Sequence, residues 1–184
     1  MFIVITGGAG YLGSVTVQTL LDAGHQVRVL DSLLHGDSPA HHLLGRARFE
    51  LLRGDVRNPA AIESALRGAD AVVHLAAIVG DPVCAKDPEV ARAINLDASL
   101  ALFDAAKRAG ASRFVFASTC SNYGRMADTS ALATEDHALR PVSLYAELKV
   151  AVEQRLLAEQ ASTSSQRPGR AAMTLRAAAA RRSP

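Results

Sequence analysis

The stretch Phe2-Ile3-Val4-Ile5-Thr6, running straight into Gly7, Gly10 and Gly13, constrains this chain more than any other part of it. A short apolar run reads as a buried strand, three glycines follow at three-residue spacing, and a helical pattern opens directly behind them. A strand that turns through glycine into a helix begins a βαβ unit, so a parallel sheet is implied from the first turn onward. Gly7 permits the tight turn, Gly10 lets backbone approach a pyrophosphate, and Gly13 lets the helix pack close to the sheet. The helix N-terminus adds unpaired N–H groups and the positive end of its dipole. Asp31 closes the second apolar run, 18 residues after Gly13. There a carboxylate accepts from the adenine-ribose hydroxyls and repels the extra phosphate of NADP, so NAD is the expected cofactor.

The same punctuation recurs along the chain. Further strands are predicted at Gln26–Leu30, Arg48–Leu52, Ala71–Leu75, Arg113–Ala117 and Ala172–Leu175. Helices are predicted at Tyr11–Ala23, Pro59–Arg67, Glu89–Ala109 and Val142–Gln160, with Asn58 capping the second and Gly24 and Gly110 stopping the first and third. The expected fold is α/β: a doubly wound parallel sheet, an NAD-binding Rossmann fold of about six strands with helices on both faces. One domain over 1–176 is predicted, with an Ala/Arg-rich, poorly ordered tail over 177–184.

Charge supports that division. The chain of 184 residues has a net charge of +2, yet residues 161–184 hold five arginines and no acid, leaving the rest at −3. No basic face with interleaved aromatics accompanies the tail, so nucleic acid is not an expected partner. No apolar run is long enough for a membrane span, and the N-terminus lacks a basic leader; a cytoplasmic protein is expected. Cys84 and Cys120 form neither a disulfide framework nor a metal-ligand spacing, and no metal is predicted.

Several short motifs fall in a telling order: Gly7/Gly10/Gly13, "GDV" at Gly54–Val56, "HLAA" at His74–Ala77, "NLDAS" at Asn95, "STCSNYG" at Ser118–Gly124 and "YAELK" at Tyr145–Lys149. Over residues 1 to about 160 the chain resembles the extended short-chain dehydrogenase/reductase family, which includes NAD-dependent nucleotide-sugar epimerases and dehydratases. The resemblance implies that Tyr11, Leu12 and Ser32 join the glycines and Asp31 on the cofactor. It puts Asp55 and Val56 beside the adenine, and Leu75, Ala76 and Ala77 along the dinucleotide. Tight helix–sheet packing is the other reason for an alanine pair there. Asn95, a poor helix former inside a helix, would make polar contacts at the active site, the alternative being a solvent-facing side chain. Ser118, Tyr145 and Lys149 complete the implied cofactor contacts.

Tyr145 and Lys149 are four apart on a predicted helix and share one face. A free tyrosine has a pKa near 10. A neighbouring ammonium favours the phenolate, which makes Tyr145 a usable base, unless the two are simply an amphipathic surface pair. The resemblance adds Thr119 as the third catalytic residue. The implied reaction oxidises a secondary alcohol, with Tyr145 taking the proton and hydride passing to nicotinamide. Relatives that eliminate water carry Asp-Glu directly after this Ser/Thr. Cys120 and Ser121 stand there instead, which disfavours a dehydratase; Cys120 reads as a small core residue. The family also continues into a smaller substrate domain, for which nothing here matches. Truncation or frameshift, a wall supplied by a partner or a second copy, and a small substrate each account for that. Two functions are therefore carried: an NAD-dependent oxidoreductase or epimerase acting on a small molecule such as a nucleotide sugar, and a catalytically silent NAD-binding module. A homodimer through helices 89–109 and 142–160 is predicted, the alternative being that both helices cover a sheet face within one monomer.

Overall fold

The computed structural model describes residues 1–36, 38–125, 133–134, 136–164 and 171–175. The expected tail over 177–184 and most of the loop before the last strand lie outside these residues.

Among the described residues, six parallel strands form one sheet: β1 (Phe2–Thr6), β2 (Gln26–Asp31), β3 (Phe49–Arg53), β4 (Ala71–His74), β5 (Arg113–Ala117) and β6 (Ala171–Leu175), in spatial order β3-β2-β1-β4-β5-β6. The helices are α1 (Tyr11–Asp22), α2 (Pro59–Leu66), α3 (Asp81–Lys86), α4 (Pro88–Arg92), α5 (Ala98–Arg108) and α6 (Leu144–Ser164). From β1 the chain steps one way across the sheet to β3, then reverses and runs through β4 to β6. Right-handed crossovers put the helices of the two journeys on opposite faces. Ile3, Ile5, Val27 and Val29 accordingly pack with Val17 and Leu21 of α1 on one side. Val4, Val72 and Phe114 pack with Ile62 of α2, Phe103 of α5 and Leu156 of α6 on the other. Alternation along β1 assigns each residue its face, and burial on both faces explains the uninterrupted apolar runs.

The doubly wound sheet predicted from sequence is the one observed, with local differences. Asn58 caps α2, accepting from Ala60 N at 3.0 Å. Arg48 has φ 69, outside the strand region, so β3 begins one residue later. The long helix predicted over 89–109 is divided: α4 and α5 are joined by a π-helical turn, Ala93–Asp97. The short helix α3 lies in a stretch that carries no helical period. A 3₁₀ turn, Cys120–Tyr123, follows β5.

Candidate active site

The carboxyl ends of β1, β2, β4 and β5 open into one cleft of about 540 Å³, within the usual range for a small-molecule site. Its first wall is the glycine turn. Gly7 takes φ +73, and a Cβ there would lie 2.7 Å from Ala76 N, so only glycine fits between β1 and β4. A Cβ on Gly13 would strike Gly7 O at 2.2 Å, whereas one on Gly8 would strike the Val29 side chain at 2.4 Å. Gly13 therefore packs α1 against the turn, and Gly8, outside the predicted triplet, lets the turn rest on the sheet. Gly10 is exposed, and a Cβ there would meet only Gly7 O at 3.3 Å. No side chain caps α1 at Gly10, so its first turn of N–H groups, at Tyr11, Leu12 and Gly13, meets the cleft uncapped.

Asp31 ends β2 at the same wall. Its Oδ2 accepts from Ala9 N at 3.0 Å and its Oδ1 from Leu33 N at 2.9 Å, which ties the glycine turn to β2 and pins the carboxylate at the cleft. Asp55 is gripped by Arg57, with contacts of 3.0, 3.1 and 2.6 Å, and that hydrogen bonding holds its carboxyl below the usual range.

Between β1 and β4 the strand order reverses, and a buried chain of side chains spans the seam. Thr6 Oγ1 and His74 Nδ1 are 2.6 Å apart, and His74 Nε2 and Ser99 Oγ are 2.8 Å apart. Ser99 gives its proton to Asn95 O at 3.0 Å, so His74 donates to Ser99 and accepts from Thr6. Burial, with Lys149 nearby, pushes the imidazole down to about 3, which keeps it neutral. Asn95 is fully engaged: Oδ1 accepts from Ile78 N and Nδ2 donates to Ile78 O, each at 2.8 Å. The π turn thus clamps the loop after β4, where Leu75 to Val79 line the cleft.

The far wall comes from α6 and the exit of β5. Tyr145, Lys149 and Glu153 are successive fourth residues on one face of α6, and all three are buried. Lys149 Nζ donates to Ala117 O at 3.0 Å and lies 4.6 Å from the Phe116 ring centre and 5.9 Å from that of Tyr145. Burial brings its ammonium down to about 8. The predicted depression of the Tyr145 pKa is not what this structure gives. Burial raises the phenol, and the opposing influence is a hydrogen bond from Thr119 rather than the lysine charge. Thr119 also caps the 3₁₀ turn, accepting from Ser121 N at 3.2 Å. Ser118 donates to Glu153 Oε2 at 2.7 Å, and Asn122 Nδ2 reaches the same oxygen at 3.5 Å.

The cleft brings together Gly7, Gly10, Tyr11, Leu12, Gly13, Asp31, Ser32, Asp55, Val56, Leu75, Ala76, Ala77, Ser118, Tyr145 and Lys149. Asn95 and Thr119 are not among the lining residues, but each touches one: Asn95 bonds the Ile78 backbone, and Thr119 lies beside the Tyr145 hydroxyl. Cys120, read as a core residue, is exposed, because it opens the 3₁₀ turn beyond the sheet; Cys84 is the buried cysteine. Leu34, His35, Ile78 and Val79 also line the cleft without a motif to announce them. Glu153 went unread although it continues the Tyr145–Lys149 spacing by one more turn. The donor set suits a dinucleotide: glycine backbone and an uncapped helix start for phosphates, a pinned carboxylate for ribose, and an apolar floor for a ring. Among the described residues no group of His, Cys, Asp or Glu could hold a metal, and no helix is long and apolar enough to cross a membrane.

Residues 3–173 match the NAD dependent epimerase/dehydratase family. A UDP-glucose 4-epimerase of Streptomyces lividans is 35% identical over 164 residues, covering 86% of this chain and 47% of that protein. A 3 beta-hydroxysteroid dehydrogenase/Delta 5-->4-isomerase of Mycobacterium tuberculosis is 36% identical over 168 residues, covering 85% of this chain and 42% of that one. The chain thus spans about half the length of these relatives. The structure of Thermus thermophilus UDP-glucose 4-epimerase in complex with NAD superposes with a TM-score of 0.82 at 33% identity, over 96% of this chain and 54% of that chain.

Proposed function

The chain belongs to the NAD dependent epimerase/dehydratase family, and from that footing we propose that it is an NAD-dependent oxidoreductase or epimerase acting on a secondary alcohol of a nucleotide sugar. The observation that carries this reading is the single cleft that runs from the glycine turn and Asp31 to Tyr145 and Lys149. Bound NAD would supply a hydride acceptor and donor. Asp31 would hold the adenine ribose, and the start of α1 the pyrophosphate. Tyr145 would exchange a proton with the substrate hydroxyl while Thr119 hydrogen-bonds the same oxygen. Lys149, already a donor to Ala117 O, would turn its remaining N–H groups to the nicotinamide ribose. The dinucleotide-binding domain is taken as 1–176. A homodimer through helices 89–109 and 142–160 is part of this reading; within one chain the ion pairs Lys107–Glu159 and Arg155–Asp104 tie α5 to α6.

The steroid dehydrogenase relative is as similar as the sugar epimerase, so hydride exchange at a hydroxyl-bearing carbon is better supported than the sugar. The raised Tyr145 phenol favours a second reading, a catalytically silent NAD-binding module. Titration of the purified 184-residue chain with NAD and NADP tests the cofactor half. Tight NAD binding with at least tenfold weaker NADP is expected, and equal affinities would remove Asp31 from its role. Hydride transfer with UDP-sugars and with a 3β-hydroxysteroid tests the rest. Tyr145→Phe is expected to lose at least a hundredfold in turnover while keeping its NAD affinity. A wild-type chain that binds NAD and turns over nothing would favour the module.

A further inference from the structure

Glu153 is wholly buried, one helical turn beyond Lys149, and none of the roles above uses it. The face of α6 meets the exit of β5 residue by residue: Lys149 donates to Ala117 O, Glu153 accepts from Ser118 Oγ, and Tyr145 neighbours Thr119. The central contact fixes a polarity. A serine hydroxyl has one proton and two lone pairs, and at 2.7 Å Ser118 spends its proton on the Glu153 carboxylate. Ser118 is one of the residues lining the cleft, and a hydroxyl whose proton is spent on Glu153 can offer a bound ligand lone pairs alone. We propose that Glu153 is a positioning residue that makes Ser118 an obligate hydrogen-bond acceptor, selecting an N–H or O–H donor on the nicotinamide half of the bound dinucleotide. A serine without that carboxylate could rotate, and would donate to a carbonyl as readily as it accepts from an amide N–H.

Two cofactor groups carry such a donor, the carboxamide NH₂ and the ribose hydroxyls. The inference rests on the cofactor reading above, and the test keeps the two apart. NAD and acetylpyridine adenine dinucleotide, in which a methyl replaces the amide NH₂, are titrated into wild type, Ser118→Ala, Glu153→Gln and the double variant, with thermal unfolding as the check on folding. Ser118→Ala is expected to weaken NAD roughly five- to tenfold, the worth of one hydrogen bond. Glu153→Gln is expected to weaken it comparably in wild type and to add nothing in the Ser118→Ala background. If the carboxamide is the donor, wild type disfavours the acetylpyridine analogue and Ser118→Ala binds both alike; if a ribose hydroxyl is the donor, Ser118→Ala weakens both equally. Should Glu153→Gln fail to fold, Glu153→Asp, which keeps the charge and withdraws the oxygens by one methylene, takes its place with the same expectation. NAD binding unchanged in Ser118→Ala overturns the proposal, as does a Glu153 effect that persists undiminished without Ser118, since that is a purely structural role. A wild-type chain that binds neither dinucleotide overturns the cofactor reading, and this inference with it.

Discussion

Lys149 shows what a functional side chain can take from a fold. Its ammonium is buried against Phe116 and donates to one carbonyl, and its folded pKa is about 8 against an ordinary 10.5. Below pH 8 the lysine is charged in both folded and unfolded chains, and the buried charge disfavours folding. Between about 8 and 10.5 the folded chain releases that proton first, so the stability contributed at this position rises with pH. Lys149→Met is therefore expected to be more stable than wild type at pH 7 by roughly 1–3 kcal/mol. Urea midpoints measured at pH 7 and pH 10 should show the gap closing; a gap that ignores pH would mean that the charge is not what burial opposes. The pairing of Tyr145 with Lys149 was legible because helical spacing alone puts them on one face. Their environment was not: Lys149 is buried against Phe116 and donates to Ala117 O, both on β5 and far away along the chain. Gly8 was missed for the same reason, since its need for glycine comes from Val29, on another strand.

At the scale of elements, the π turn Ala93–Asp97 matters most to the cleft. It holds Asn95 where both amide atoms meet the Ile78 backbone, and Ile78 lines the cleft. Asn95→Ala leaves the half-buried N–H and C=O of Ile78 without that partner, at an expected loss of about 1–2 kcal/mol and a Tm lower by roughly 2–8 °C. Asn95→Asp, which keeps the acceptor and drops the donor, should fall between. Thermal unfolding would read both, and an Asn95→Ala protein as stable as wild type would show that the clamp is idle. Strands and long helices were legible because a strand buried on both faces reads as an apolar run and a helix repeats near 3.6 residues. A single turn with i→i+5 bonding leaves no period to detect, so 89–109 read as one regular helix. The short α3 is too brief for periodicity to register.

For the molecule as a whole, the doubly wound parallel sheet was legible from strands alternating with helices and the handedness of their crossovers, which leave few arrangements open; the order β3-β2-β1-β4-β5-β6 itself came only with the structure. Assembly was less legible, because contact with a second copy is a property of a surface that packing within one chain does not specify. A dimer through the α5–α6 face is expected in sedimentation at micromolar concentration, and Asp104→Arg, which reverses the charge facing Arg155, should shift it toward monomer; monomer alone in wild type would sink the proposal. The seam between β1 and β4 has a further consequence, for folding kinetics. The contact of Thr6 with His74 closes a loop of 68 residues, so the pairing that joins the two halves of the sheet is of high contact order and slow to form. The cleft straddles that same seam. A ligand seated in it would have to leave before the halves could part, and its residence should be written in slowed hydrogen exchange at the amides of β1 and β4 while those of the outer strand β3 keep their pace.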